Sequence, residues 1–205
     1  RVSDSARRRL SETHVWVYSG RPMSARSSTP VGIDFGTSNS AVATADAHGE
    51  VDFLRFELLG ATTRSYRSLL FFDPEEQEPR EPIEFHAGVE AIEAYLEAMG
   101  EGRLVQSFKT HLTSGSIGRT QIGPHAVRLD DMLRLFFVRL REHFERQRGV
   151  LPSRALIGRP VMFAGASDED ASTAAEERLR VIAAAAGFER VEFELEPIAA
   201  AFHYE

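Results

Sequence analysis

The chain has 205 residues, 42% hydrophobic and 27% charged, with a formal net charge of -7 at neutral pH. That length suits one large domain or two small ones, and the composition is globular rather than disordered. The absence of cysteine excludes disulfides, thiolate catalysis and Cys-ligated zinc; no apolar run reaches the ~18 residues of a membrane helix, and the negative charge opposes general nucleic-acid binding.

The charge is unevenly spread. Residues 1–30 hold six arginines, Arg7-Arg8-Arg9 among them, against Asp4 and Glu12, and show no sustained apolar period. They read as a basic leader, an extension or tag upstream of a strongly acidic body. From Val31 the pattern is regular. Val31–Phe35 predicts a short strand ending at a Gly-Thr-Ser-Asn turn, Ser40–Ala45 a second strand, and Val51–Phe56 a third after the turn at 47–49, together an antiparallel meander. Leu69–Asp73 reads as a strand, Pro74–Pro82 as an acidic surface loop, and Val89–Met99 as a helix stopped by Gly100. Thr113–Pro124, rich in Gly and Ser, reads as a loop or small hairpin.

Alternation becomes clean in the last third. Met132, Leu133, Phe136, Phe137, Leu140 and Phe144 recur at helical spacing, and Gly149 ends that helix. Arg154–Gly158 is a buried-type strand. Ser167 and Asp170 form a variant capping box for a helix reaching Ala186. Arg190–Leu195 is a further strand, and Pro197 sits where a first-turn proline belongs. The order β-β-β, insertion, α-β-α-β-α predicts an α/β fold of the ribonuclease-H-like layout: a mixed five-stranded sheet, three strands antiparallel and two parallel, with helices on both faces. Its core comprises residues 31–56 and 129–205, and residues 57–128 form an inserted small α+β subdomain.

Chemistry concentrates in Val31-Gly32-Ile33-Asp34-Phe35-Gly36-Thr37-Ser38-Asn39-Ser40. A buried Asp34 near a strand end is followed by Gly36, which permits a sharp turn. The amides of Gly36, Thr37, Ser38 and Asn39 can converge on one anion, and the hydroxyls of Thr37 and Ser38 add donors. Asp34 beside a phosphate implies a divalent cation between them, and Mg²⁺ prefers few carboxylates plus phosphate oxygens. Lys109 is the only lysine among 24 basic side chains. A compact ammonium approaches phosphate and water where a planar guanidinium is too large. Glu196 opens the last helix and is expected across a cleft from Asp34, orienting water or holding the Mg²⁺ shell. Asp34, Lys109, Glu196 and an amide nest suffice for phosphoryl transfer, which rests on positioning and electrostatics. His86, His111, His125 and His143 lack metal-ligand spacing.

The Val31–Ser40 string resembles the first phosphate motif of the seventy-kilodalton heat-shock proteins of DnaK type, in the actin-like ATPase superfamily. Ala155-Leu156-Ile157-Gly158-Arg159-Pro160-Val161-Met162-Phe163 resembles the family's V-P-A-Y-F strand and loop, and Glu196-Pro197-Ile198-Ala199-Ala200 its first connecting motif. The wording around Ile157-Gly158-Arg159-Pro160 and Ala185-Ala186-Gly187-Phe188 is most similar to the YegD-like branch. The resemblance covers residues 31–205. It implies an ATP-binding first lobe with Mg²⁺, a cytoplasmic location, and Lys109 reaching the γ-phosphate and attacking water. It also implies a second lobe as partner, because no Asp-Gly-Gly-Gly-Thr-like phosphate loop occurs here; a protein client or co-chaperone stays open and unidentified. A sugar or acetate kinase of the same superfamily is an alternative, though such kinases often place an Asp base where Glu196-Pro197-Ile198 stands. A non-hydrolysing nucleotide-sensing module is another. A ribonuclease-H-like nuclease needs further acids converging with Asp34, and Arg154–Gly158 offers none.

Overall fold

The computed structural model of the chain describes residues 26–27, 29–114 and 119–201. In chain order the first elements are β1 (Arg26–Ser27), β2 (Val31–Phe35), β3 (Asn39–Ala45), β4 (Val51–Phe53), β5 (Phe56–Leu58), β6 (Ala61–Thr63), β7 (Tyr66–Arg67), β8 (Leu69–Phe72) and β9 (His86–Ala87). Then come α1 (Val89–Glu97), β10 (Arg103–Gln106), a 3-10 turn at Phe108–His111, β11 (Thr120–Ile122), β12 (His125–Val127), α2 (Leu129–Arg148) and β13 (Leu151–Pro152). β14 (Arg154–Arg159), α3 (Glu169–Ala185), β15 (Arg190–Leu195) and α4 (Glu196–Ala201) complete the described chain. The fold is mixed α/β.

The main sheet runs β15-β14-β2-β3-β4. β14 is parallel to both β15 and β2, whereas β2, β3 and β4 form the antiparallel meander. β2, β3 and β14 alternate in burial. Val31, Ile33 and Phe35 are buried, while Gly32 is half-buried and Asp34 exposed. The buried set joins Val42, Ala155, Ile157 and Val191 in one core with Leu133, Phe136, Phe137 and Leu140 of α2 and Leu179, Ile182 and Ala183 of α3. Both long helices therefore cover the same face. The opposite face, with Gly32, Asp34, Ala43, Leu156 and Gly158, contributes nothing to that core, so the expectation of helices over both faces is met by the long helices on one face only. A helix's apolar stripe fixes that it packs on a sheet, and leaves open which side it takes.

β7 adds a sixth strand, pairing antiparallel with Asn39 and Ser40 of β3. A two-residue strand has no periodicity to read, which hid it in the sequence. The third expected strand ends at Phe53; Phe56 instead begins a hairpin with β6. β11 and β12 form a hairpin extending to Val127, past the predicted limit at Pro124. The strand after Ser68 stops at Phe72, and Asp73 caps a 3-10 turn at Pro74–Glu76 by accepting from the Glu75 amide. The cap of α3 lies one residue later than expected: Asp168 accepts from the Ala171 amide at 2.8 Å, and Ser167 donates to Asp168. Gly149 ends α2 as expected, in the left-handed conformation at φ 74°.

The segment between the meander and α2 builds a three-stranded antiparallel sheet, β10-β8-β9, with α1 packed on it. Leu70, Phe72, Ile83, Phe85 and Phe108 of this segment belong to the same core as β2 and α2. Of the basic leader only its end is described. Arg26–Ser27 pairs parallel with β13, and Ser153 Oγ donates to the Ser27 carbonyl at 2.7 Å. The rest of the leader lies outside the described residues.

Candidate functional site

Gly36–Ser38 form the turn between β2 and β3. The turn is tight enough that a methyl group on Gly36 would overlap the Asn39 carbonyl oxygen, so only glycine fits. Thr37, Ser38 and Asn39 are exposed. Among the described residues the Thr37 and Ser38 amides donate to no protein acceptor, which leaves them available to an anion.

The segment after the β5–β6 hairpin clamps this turn. The Ser68 amide donates to the Ser38 carbonyl at 3.0 Å, and the Ser40 and Ser68 hydroxyls share a buried hydrogen bond of 2.9 Å. Asn39 Oδ1 accepts from Ser65 Oγ at 3.0 Å and from Arg67 Nη1 at 2.8 Å. The Asn39 side chain is thus a strut between the turn and Arg67. Arg67 forms no ion pair among the described residues, so its positive charge stands uncompensated beside the turn. Sequence reasoning missed Arg67, Ser65 and Ser68. The one local signal was their Ser/Arg-rich spacing before a buried strand, and that does not specify a partner some 28 residues away.

Asp34 lies on the uncovered face of β2, opposite Ala41 in register. Expected buried, it is exposed, because Val31, Ile33 and Phe35 take the inward positions and period-two alternation turns Asp34 outward. Protein crowding nonetheless dominates its ionisation. Desolvation first, and the Glu196 carboxylate second, push its carboxyl above its usual value, and the Lys109 ammonium pulls it partly back. Asp34 makes no hydrogen bond or ion pair among the described residues.

Lys109 arrives from the 3-10 turn after β10. Ser107, left-handed at φ 63°, redirects the chain into that turn, and Phe108 anchors it against Phe136, ring centroids 5.8 Å apart. The Lys109 side chain is 11% exposed, its ammonium 5.9 Å above the Phe35 ring. Nζ donates to Glu196 Oε1 at 2.5 Å, although the two residues are 87 apart in sequence. Glu196 is the first residue of α4, at the end of β15. Gly158 borders it: a methyl group there would make ordinary van der Waals contact, 3.4 Å from Glu196 Cγ and 3.9 Å from Asp34 Cα. Asp34, Lys109 and Glu196 therefore meet at one end of the sheet, beside the Gly36–Asn39 turn.

This geometry gives a signed expectation for Asp34→Asn. A carboxyl whose folded value lies above its unfolded value costs stability at pH above the folded value, and that cost vanishes below the unfolded value. Asp34→Asn should melt higher than the parent at pH 7, with the gap closing as the pH falls through the carboxylate range. Thermal melts of both proteins between pH 7 and pH 4 check this; a lower melting temperature for Asp34→Asn at pH 7 would contradict it.

No family model matches the chain. Among the described residues no group of three or more His, Asp or Glu is placed to hold a metal ion, and no helix is long and apolar enough to cross a membrane.

Proposed function

We propose that this chain is the ATP-binding first lobe of an ATPase of the seventy-kilodalton heat-shock type, similar to the YegD-like branch and built on the ribonuclease-H-like sheet of the actin-like ATPases. The observation that carries this reading is the convergence of Asp34, the sole lysine and Glu196, from three distant parts of the chain, next to a turn with unspent amides. The mixed strand order around β2 supports the fold.

In this reading the Gly36–Asn39 turn binds phosphate oxygens through backbone amides and the Thr37 and Ser38 hydroxyls. Arg67 adds positive charge at the edge. An exposed carboxylate without a protein partner fits Mg²⁺ held mainly through water, and Asp34 is that carboxylate; the ion would supply neutralisation of phosphate charge. The Lys109–Glu196 pair places an ammonium and a carboxylate side by side. The ammonium can meet a terminal phosphate, and the carboxylate can orient water or accept a proton from it. The partners implied are a nucleotide and a second lobe closing the other side of the cleft, and the location implied is the cytoplasm. A non-hydrolysing nucleotide sensor is the alternative favoured by one feature: the Lys109 ammonium is already held by Glu196.

Calorimetry on this chain tests the binding reading. Mg-ATP is expected to bind weakly, since an open site leaves water in competition with the phosphates. Binding should require both the triphosphate and Mg²⁺. Equal heats with adenosine and Mg-ATP, or no heat at millimolar Mg-ATP, would overturn it.

A further inference from the structure

Two bulky apolar residues hold backbone conformations that suit asparagine or glycine. Leu59, first of the two residues turning β5 into β6, has φ 50° and is followed by Gly60 at φ 80°. Such two-residue turns favour Asn-Gly. Met99, just past the end of α1, has φ 54°. Neither is rewarded by burial: Leu59 is 68% and Met99 89% exposed, and Leu96, one turn before Met99, is 55% exposed. The three lie in one neighbourhood. The Leu59 amide donates to Glu93 Oε1 at 3.1 Å, Leu96 follows Glu93 by three residues on the same helix face, and the Met99 amide donates to the Leu96 carbonyl at 3.0 Å. Left-handed backbone kept at clustered, exposed apolar residues motivates reading this patch as a contact surface.

The rim of this patch is acidic. Glu93 bonds Leu59, and Glu57, Glu97 and Glu101 each lie within two residues in sequence of Leu59, Leu96 or Met99; none of the four forms an ion pair among the described residues. The fitting occupant is basic with interleaved apolar side chains. This chain carries such a segment at residues 7–18, Arg-Arg-Arg-Leu-Ser-Glu-Thr-His-Val-Trp-Val-Tyr. Its point of attachment, β1, lies close to the same hairpin. In the parallel pairing of β1 with β13, Arg26 lies opposite Leu151 and Ser27 opposite Pro152. β1 therefore begins beside Leu151, close to the end of α2. There Gln147 grips Arg55 at the root of the β5–β6 hairpin through two hydrogen bonds, of 3.1 and 2.7 Å. The nine residues between Trp16 and Arg26 reach roughly 30 Å when extended, enough to pass from that root to the hairpin tip.

We propose that the basic leader, residues 7–18, docks in cis on the acid-rimmed patch of Leu59, Leu96 and Met99. Trp16 is the only tryptophan in the chain, so its fluorescence reads the leader alone. At low salt its emission in the full chain should be blue-shifted from that of a synthetic peptide of residues 1–25. The shift should disappear at high salt, in the Leu59→Asn/Met99→Asn double variant, and in a variant with Arg7, Arg8 and Arg9 changed to Glu. The double variant relieves left-handed strain, so it should melt no lower than the parent. The leader variant alters no described residue and keeps the test valid if the double variant folds poorly. Emission equal to that of the free peptide, a shift unmoved by the leader variant, or a shift that grows with protein concentration would each overturn the proposal.

Discussion

Gly36→Ala is expected to abolish Mg-ATP binding and to lower the melting temperature. The added methyl group has nowhere to go, because the Asn39 carbonyl occupies its position. Relief requires the turn to open, which pulls Asn39 from Arg67 and Ser65 and strains the Ser38–Ser68 contact. Overpacking of this kind costs about 1–3 kcal/mol, or roughly 2–12 °C for a chain of this size. The two readouts separate the causes. Calorimetry should show binding lost well below the melting temperature, while far-ultraviolet circular dichroism shows the fold retained. Parental affinity in Gly36→Ala would remove the turn from the site.

Lys109→Ala is expected to cut ATP hydrolysis by about 10²–10³-fold in a protein that carries both sides of the cleft, while nucleotide affinity changes only a few-fold. The ammonium would act on charge that develops as the terminal phosphate leaves, whereas the amides and Arg67 would hold the ground state. Lys109→Arg should fail to restore turnover, because a planar guanidinium spreads the charge that a compact ammonium presents to the phosphate as a point. On the present chain the same change has a second consequence. Losing the cation leaves Glu196 facing Asp34 without compensation, and the Asp34 carboxyl, already raised, moves higher. NMR titration of Asp34 in the parent and in Lys109→Ala reads that directly. Unchanged turnover in the two-sided protein would place Lys109 outside the mechanism.

The parts of this architecture that could be read from sequence were those written in short-range pattern. Val31–Phe35 alternates, α2 repeats its apolar residues at helical spacing and ends at a glycine, and the order of elements dictates a mixed sheet. Asp34, Gly36 and Glu196 were visible because each sits at a punctuation point between elements. Lys109 stood out as a solitary residue type. What stayed hidden depends on distant partners. Tyr66–Arg67 becomes a strand only because Asn39 and Ser40 offer a free edge. The exposure of Asp34 follows from which face the helices take, and no local pattern encodes that choice. The strain at Leu59 and Met99 is invisible until the backbone angles are known.

The parallel pairing of β2 with β14 has a consequence for biogenesis. Val31 meets Ala155 roughly 120 residues later in the chain, and Lys109 meets Glu196 later still. On a ribosome the first meander emerges long before the strand that completes its sheet. The inward side chains Val31, Ile33, Phe35 and Val42 then wait without the helices that will bury them. Non-local pairing of this sort slows folding and lengthens the time during which an unfinished sheet edge can meet another nascent chain. The Gly36–Asn39 turn, drawn from the first strands to appear, is therefore among the last features to acquire its final surroundings.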